Sequence, residues 1–178
     1  SMGSPDFAEL IALLNARDAE RPRRKRHRLP EAPYTYSDRE FFFTLCARHL
    51  GTPFTDERLA RHIIEALLWQ RQQHHWRLFA YCLMPDHLHF IAQLPEESDA
   101  EPNNILNQVG AFKSFTTTQC WWKHGGQDQL WQRSSYDRVI RYNDSVEHAV
   151  NYLLANPGRK GLIHPGEPYP YATIIDAW

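Results

Sequence analysis

The feature that most limits this chain's fold is a pair of apolar runs separated by three residues. Residues 76–83 (WRLFAYCL) and 87–94 (HLHFIAQL) are each of strand length and rich in aromatic and large apolar side chains. Met84, Pro85 and Asp86 lie between them and carry turn chemistry, so the two runs are expected to fold back on one another as an antiparallel hairpin. A lone hairpin is marginal in water, so other elements must cover it.

The flanks supply those elements. Residues 40–47 (EFFFTLCA) read as a buried strand. Thr55 is placed to cap a helix whose apolar residues Leu59, Ile63, Ile64, Leu67 and Leu68 fall on one face, running to about Gln73. After the hairpin, a second helix over 104–123 is expected to bury Ile105, Val109, Phe112 and Thr116. Residues 136–141 (YDRVIR) read as a short fourth strand. Asp144 or Ser145 then caps a last helix that ends near Asn156 and Pro157, because proline disfavours continuation. The order is β-α-β-β-α-β with a terminal helix, so the expected fold is α+β: a ferredoxin-like antiparallel sheet with one added C-terminal helix. It occupies residues 36–178 as a single domain. Residues 1–35 are expected to be a separate arm, with a short helix over 7–15 followed by a basic run that Pro22, Pro30 and Pro33 keep irregular.

That basic run matters for partners. The formal net charge is -1, yet Arg21, Arg23, Arg24, Lys25, Arg26 and Arg28 place six cations within eight residues. Such a patch attracts polyanions regardless of their sequence, since each phosphate contact releases condensed counterions. Arg133, Arg138, Arg141 and Arg159 are further candidates for gripping phosphates, and Trp121, Trp122 or Trp131 for stacking unpaired bases if exposed. No apolar run is long enough to span a bilayer, so a soluble, cytoplasmic protein with no membrane partner is expected. Cys46, Cys82 and Cys120 are odd in number and widely spaced, with no Cys-x-x-Cys pair, and read as three buried, reduced thiols.

The chemistry concentrates at two places. In Asp86-His87-Leu88-His89-Phe90 on the second hairpin strand, residues two apart share a face, so His87 and His89 stand side by side while Leu88 and Phe90 turn into the core. Two neutral imidazoles at that spacing can chelate one divalent ion. On the last helix, His148, Tyr152 and Asn156 are spaced i, i+4, i+8 and form one stripe. From it Asn156 can offer an oxygen to the metal and Tyr152 can reach a phosphate. His148 has three possible roles: proton transfer, metal contact or a hydrogen bond beside the site.

Three segments taken together, YCLMPDHLHF (81–90), LWQRSSYDRVIR (130–141) and NYLLANPGRKGLI (151–163), resemble the REP-associated tyrosine transposases of the single-tyrosine HUH superfamily, named for histidine-hydrophobic-histidine. The resemblance runs from about Tyr36 to the C-terminus. It implies that His87 and His89 bind Mg2+ or Mn2+, that Tyr152 is the nucleophile, and that Asn156 matches the amide-bearing position that completes the metal site. It also implies a bacterial, nucleoid-associated enzyme that cleaves single-stranded DNA beside a REP-like hairpin through a 5′-phosphotyrosine, acting as a monomer or homodimer. A non-mobile relative that only binds hairpin DNA or RNA on the same fold is the alternative. An RNA-binding module of the RRM type lacks support, because its Lys/Arg-Gly-aromatic block is missing. A water-activating metal hydrolase lacks support as well, because no His-x-x-Glu-His helix is present.

Overall fold

A computed structural model describes residues 40–48, 51–95, 105–140 and 145–178. The expected N-terminal arm, with Arg23, Arg24, Lys25 and Arg26, lies outside the described residues, as does Arg141. The elements are β1 (Glu40–Cys46), α1 (Glu57–His74), β2 (Arg77–Met84), β3 (His87–Gln93), α2 (Ile105–Thr116), β4 (Tyr136–Val139), α3 (Val146–Leu154), α4 (Asn156–Arg159) and β5 (Ala172–Ile174). The strands lie in the order β4-β1-β3-β2-β5, every neighbouring pair antiparallel. The first four strands have the ferredoxin-like order. The fifth, which the sequence did not announce, extends the sheet on the free side of β2.

Both faces of this sheet are covered. On one, Phe41, Phe43 and Leu45 of β1 and Leu88 and Phe90 of β3 pack beneath α1 and α2, which contribute Leu59, Ile63, Leu67, Val109 and Phe112. On the other, Phe42, Phe79, Cys82, Met84 and Ile91 pack beneath Ala149, Val150 and Leu153 of α3. Strand alternation therefore assigns Leu88 and Phe90 to the first face and leaves His87 and His89 on the second, as their spacing requires. An irregularity in β2 between Leu78 and Ala80 puts Phe79 and Ala80 together on the α3 side. Such a bulge adds one residue to a strand and shifts its register by one.

The helix ends differ from expectation in instructive ways. Asp56, not Thr55, caps α1: its carboxylate accepts from the Leu59 N–H at 3.0 Å, while Thr55 belongs to a 3-10 turn just before it. Ser145 caps α3 by accepting from the His148 N–H. Pro157 does not simply stop the last helix. Helix α3 ends at Leu154, Ala155 separates the two, and the proline sits in the first turn of α4, where its missing N–H costs nothing. Helix α2 continues through a π-turn (Thr117–Trp121) and a 3-10 turn (Trp122–His124), closed by Gly125 at φ 85°. All three cysteines are free, but only Cys82 and Cys120 are buried; Cys46 is half-buried at the end of β1. No described helix is long and apolar enough to cross a membrane.

Candidate metal centre and nucleophile helix

His87 and His89 are 9% and 4% exposed, with ring centroids 4.5 Å apart and planes at 77°. Their Nε2 atoms face each other at 3.0 Å. Each ring is fixed from behind through its other nitrogen: His87 Nδ1 lies 2.6 Å from Asp86 Oδ1, and His89 Nδ1 lies 2.8 Å from Thr44 Oγ1. Asn156 enters from α4, its amide nitrogen 3.3 Å from His87 Nε2.

These contacts limit how the protons can be shared. An ionised carboxylate only accepts, so Asp86 takes a hydrogen bond from His87 Nδ1, and the neutral His87 ring turns its lone pair outward on Nε2. His89 Nε2 and the Asn156 amide nitrogen both face that lone pair, and the Thr44 hydroxyl can donate to or accept from His89 Nδ1 according to the tautomer. To hold a cation through both Nε2 atoms, His89 would carry its proton on Nδ1, with Thr44 accepting. A hydroxyl serves either state, whereas a carboxylate would fix one. The Asn156 amide need only turn over to present its oxygen where its nitrogen now stands, an alternative that heavy-atom positions do not distinguish. The donor set therefore fits a divalent ion held by two imidazoles and an amide oxygen, with Asp86 and Thr44 orienting the rings.

Other donors are poorer. Among the described residues no three His, Cys, Asp or Glu side chains group as metal ligands. The cross-strand neighbours of His89 are Thr44 and Cys82, and those of His87 are Cys46 and Met84. Burial pushes the Cys82 thiol well above its ordinary range, which keeps it protonated and unsuited to act as a thiolate ligand.

Tyr152 lies half-buried on α3, on the same side of the sheet as the imidazoles. Phe42 links them, with ring centroids 6.2 Å from Tyr152 and 5.5 Å from His89. Arg138 of β4 lies over Phe42 at 5.1 Å, and Arg159 over Tyr152 at 4.2 Å, so two guanidinium groups bracket the aromatic pair. His148 is exposed in the first turn of α3, and its ring has no hydrogen bond to a described residue. Arg133 is exposed near the far end of β1, away from the Phe42–Tyr152 pair. Of the three tryptophans singled out, Trp131 is buried, Trp121 is partly buried against the core, and Trp122 is 50% exposed.

The structure thus joins His87, His89 and Asn156 directly and brings Tyr152 to them through Phe42. Three contributors went unassigned in the sequence: Phe42, Thr44 and Asp86. Thr44 did leave a trace, as the one polar residue inside the apolar run Phe41–Leu45.

No protein-family model matches the chain. A REP-associated tyrosine transposase of Escherichia coli is 24% identical over 136 residues, 75% of each chain. A Haemophilus influenzae protein assigned to the same group is 25% identical over 100 residues, 53% of this chain and only 57% of that protein's length. Among solved structures, a REP-associated tyrosine transposase bound to a REP hairpin superposes with a TM-score of 0.64 at 21% identity, covering 83% of this chain and 81% of that one. The fold is therefore shared with that protein, and in sequence the chain is similar to the REP-associated tyrosine transposases.

Proposed function

We propose that the chain is a metal-dependent single-stranded DNA endonuclease and strand transferase that cuts beside a DNA hairpin and uses Tyr152 as nucleophile. The observation that carries this reading is the convergence of two ring-fixed Nε2 atoms, 3.0 Å apart, with the Asn156 amide, on the side of the sheet that carries Tyr152.

In this reading His87, His89 and Asn156 hold Mg2+ or Mn2+. The bound ion would neutralise charge on a non-bridging phosphate oxygen. The chain's residues do the rest. The Tyr152 phenol oxygen attacks phosphorus, the bond from phosphorus to the departing 3′ oxygen breaks, and the phenol proton is lost while the 3′ oxygen gains one. The products are a 5′-phosphotyrosine and a free 3′-OH. The ester stores the energy of the broken bond, so the 3′-OH of another strand can reverse the step without a nucleotide cofactor. His148, exposed one turn before Tyr152, would exchange that proton with solvent. Arg138 and Arg159, beside the phenol, would meet the incoming phosphate. Asn156 reaches His87 of its own chain, which supports a centre completed within one subunit.

The reading is tested by incubating the protein with end-labelled hairpins bearing single-stranded flanks, in Mn2+ and in Mg2+. A covalent adduct should form with the wild type and be lost in Tyr152→Phe, and Mn2+ should raise the melting temperature of both proteins but not of His89→Ala. Adduct formation by Tyr152→Phe would move the nucleophile elsewhere. The absence of any Mn2+ effect on wild-type stability would remove the metal centre.

A further inference from the structure

At the end of β1 beyond the imidazole pair lies a cleft of about 470 Å3, within the range of small-ligand pockets. Arg48, Lys113 and Arg133 line it with Ser114, Gln129 and Gln132, and no carboxylate is among its lining residues. Two arginines and a lysine on one cleft stand out in a chain whose formal net charge is -1. Neither Arg48 nor Arg133 has a side-chain hydrogen bond or ion pair to a described residue.

The cleft is built on paired backbone rather than on a free loop. Ala47 and Trp131 form an antiparallel bridge, Arg48 N–H donates to Leu130 O at 2.8 Å, and Gln132 N–H donates to Cys46 O at 2.8 Å. Lys113 reaches across from α2 and donates to the carbonyls of Gln132 and Arg133 at 2.7 and 3.1 Å. Both arginine-bearing segments are therefore held before any ligand arrives, which lowers the ordering cost of binding. The floor is Trp131, buried and hydrogen-bonded through Nε1 to Thr116.

Its position ties the cleft to the proposed centre. Cys46 is the cross-strand partner of His87, and Ala47 N–H donates to Asp86 O at 2.8 Å. Arg48 follows two residues after Cys46, about 7 Å further along at the usual strand rise. A chain of phosphates lying in the cleft thus leads over the end of the sheet toward the imidazoles.

We infer that this cleft binds the sugar-phosphate backbone of the unpaired DNA strand next to the hairpin, with Arg48 and Arg133 as its phosphate contacts. The inference rests on the hairpin-cleavage reading for the identity of the polymer. It does not rest on the chemistry of Tyr152.

The test uses the full chain carrying Tyr152→Phe, without divalent metal, so that only binding is read. The probes are one fluorescent DNA stem-loop with an oligo-dT tail and the same stem-loop without it, titrated over a range of salt. In the Arg48→Ala/Arg133→Ala variant, affinity for the tailed probe should fall about tenfold or more, and its salt slope should shrink by about 1.4, the value for two phosphates of a single strand. Affinity for the blunt stem-loop should stay unchanged, and Arg48→Lys/Arg133→Lys should recover most of the loss. An unchanged tailed-probe affinity in the alanine variant, with a normal melting temperature, refutes the assignment and leaves the cleavage reading intact. An equal loss on both probes refutes the single-strand assignment in favour of the stem. Failure of the Tyr152→Phe protein itself to bind either probe would overturn both this inference and the hairpin reading.

Discussion

The guanidinium of Arg159 lies over the ring of Tyr152, 4.2 Å from its centre, and donates from Nη2 to the carbonyl oxygen of the same residue at 2.9 Å. The first contact fixes the ring's free face and the second ties α4 to α3, so a single side chain sets both the position of the phenol and the angle at which Asn156 approaches His87. A stacked cation at an exposed ring contributes about 0.5–1 kcal/mol.

Replacing Arg159 with leucine should therefore slow formation of the covalent adduct by about two- to fivefold in single-turnover measurements. Affinity for the stem-loop should change far less, and Arg159→Lys should recover part of the rate. A proportionate fall in affinity and rate would leave Arg159 its phosphate contact alone and remove the positioning role.

Thr44 is 8% exposed and its hydroxyl meets His89 Nδ1 at 2.8 Å. Valine has nearly the same shape and suits a strand, so Thr44→Val should fold normally. It removes the group that orients His89, and calorimetric titration should show Mn2+ affinity reduced by about 10–100-fold. Unaltered affinity would mean that strand packing alone holds the ring.

Asp176 joins the C-terminal segment to two other elements. Its carboxylate accepts from Arg71 at 2.8 and 2.5 Å and from the Leu78 N–H at 2.8 Å. Burial raises its pKa, but the hydrogen bonds from Arg71 and Leu78 and the charges of Arg71 and Arg77 outweigh that effect and hold it below the ordinary carboxylate value. A carboxyl depressed in the folded state contributes stability that is fully present above its unfolded pKa, about 3.9, and is lost as pH falls through the folded value. Asp176→Asn should cost about 1–2 kcal/mol at neutral pH, the Arg71–Asp176 pair being only partly shielded from water. Urea denaturation at several pH values should show wild type and variant converging in acid. A constant difference across that range would point to the loss of packing instead.

Gly126 has no room for a side chain. A Cβ built there falls 2.1 Å from two ring carbons of Trp121. The Trp121 ring packs on the core and donates to Gln127 O at 3.0 Å, so it cannot move without losing both contacts. Gly126→Ala should destabilise the chain by about 1–3 kcal/mol, measured as a lower urea midpoint at unchanged slope.

The parts of the fold that followed a clear period were legible in the sequence. Leu59, Ile63, Ile64, Leu67 and Leu68 all face the core from α1, and Ile105, Val109, Phe112 and Thr116 do so from α2. Alternation alone placed His87 and His89 on one face of β3 and Leu88 and Phe90 on the other. Strand β5 had no such period. Its three residues, Ala172–Ile174, owe their strand state to an open edge of β2 some 90 residues earlier, and local sequence does not encode that edge. The capping role of Asp56 was hidden for a different reason: Thr55 and Asp56 are both good caps, and Pro53 decides between them by starting a 3-10 turn that consumes the threonine. Thr44, Phe42 and Asp86 could not be assigned because their roles depend on cross-strand register and on where α3 lands, neither of which spacing reveals.

The turn between β2 and β3 has a kinetic consequence. Two residues bring the strands back together, and the imidazoles are themselves two positions apart, whereas Asn156 closes on His87 across 69 residues. Loop-closure entropy grows with length, and contacts distant along the chain form late. A polypeptide emerging from the ribosome therefore sets its two imidazoles side by side before the segment that bears Tyr152 and Asn156 has been synthesised. Until the terminal segment docks, the imidazoles lack both Asn156 and Tyr152, and the proposed centre stays incomplete.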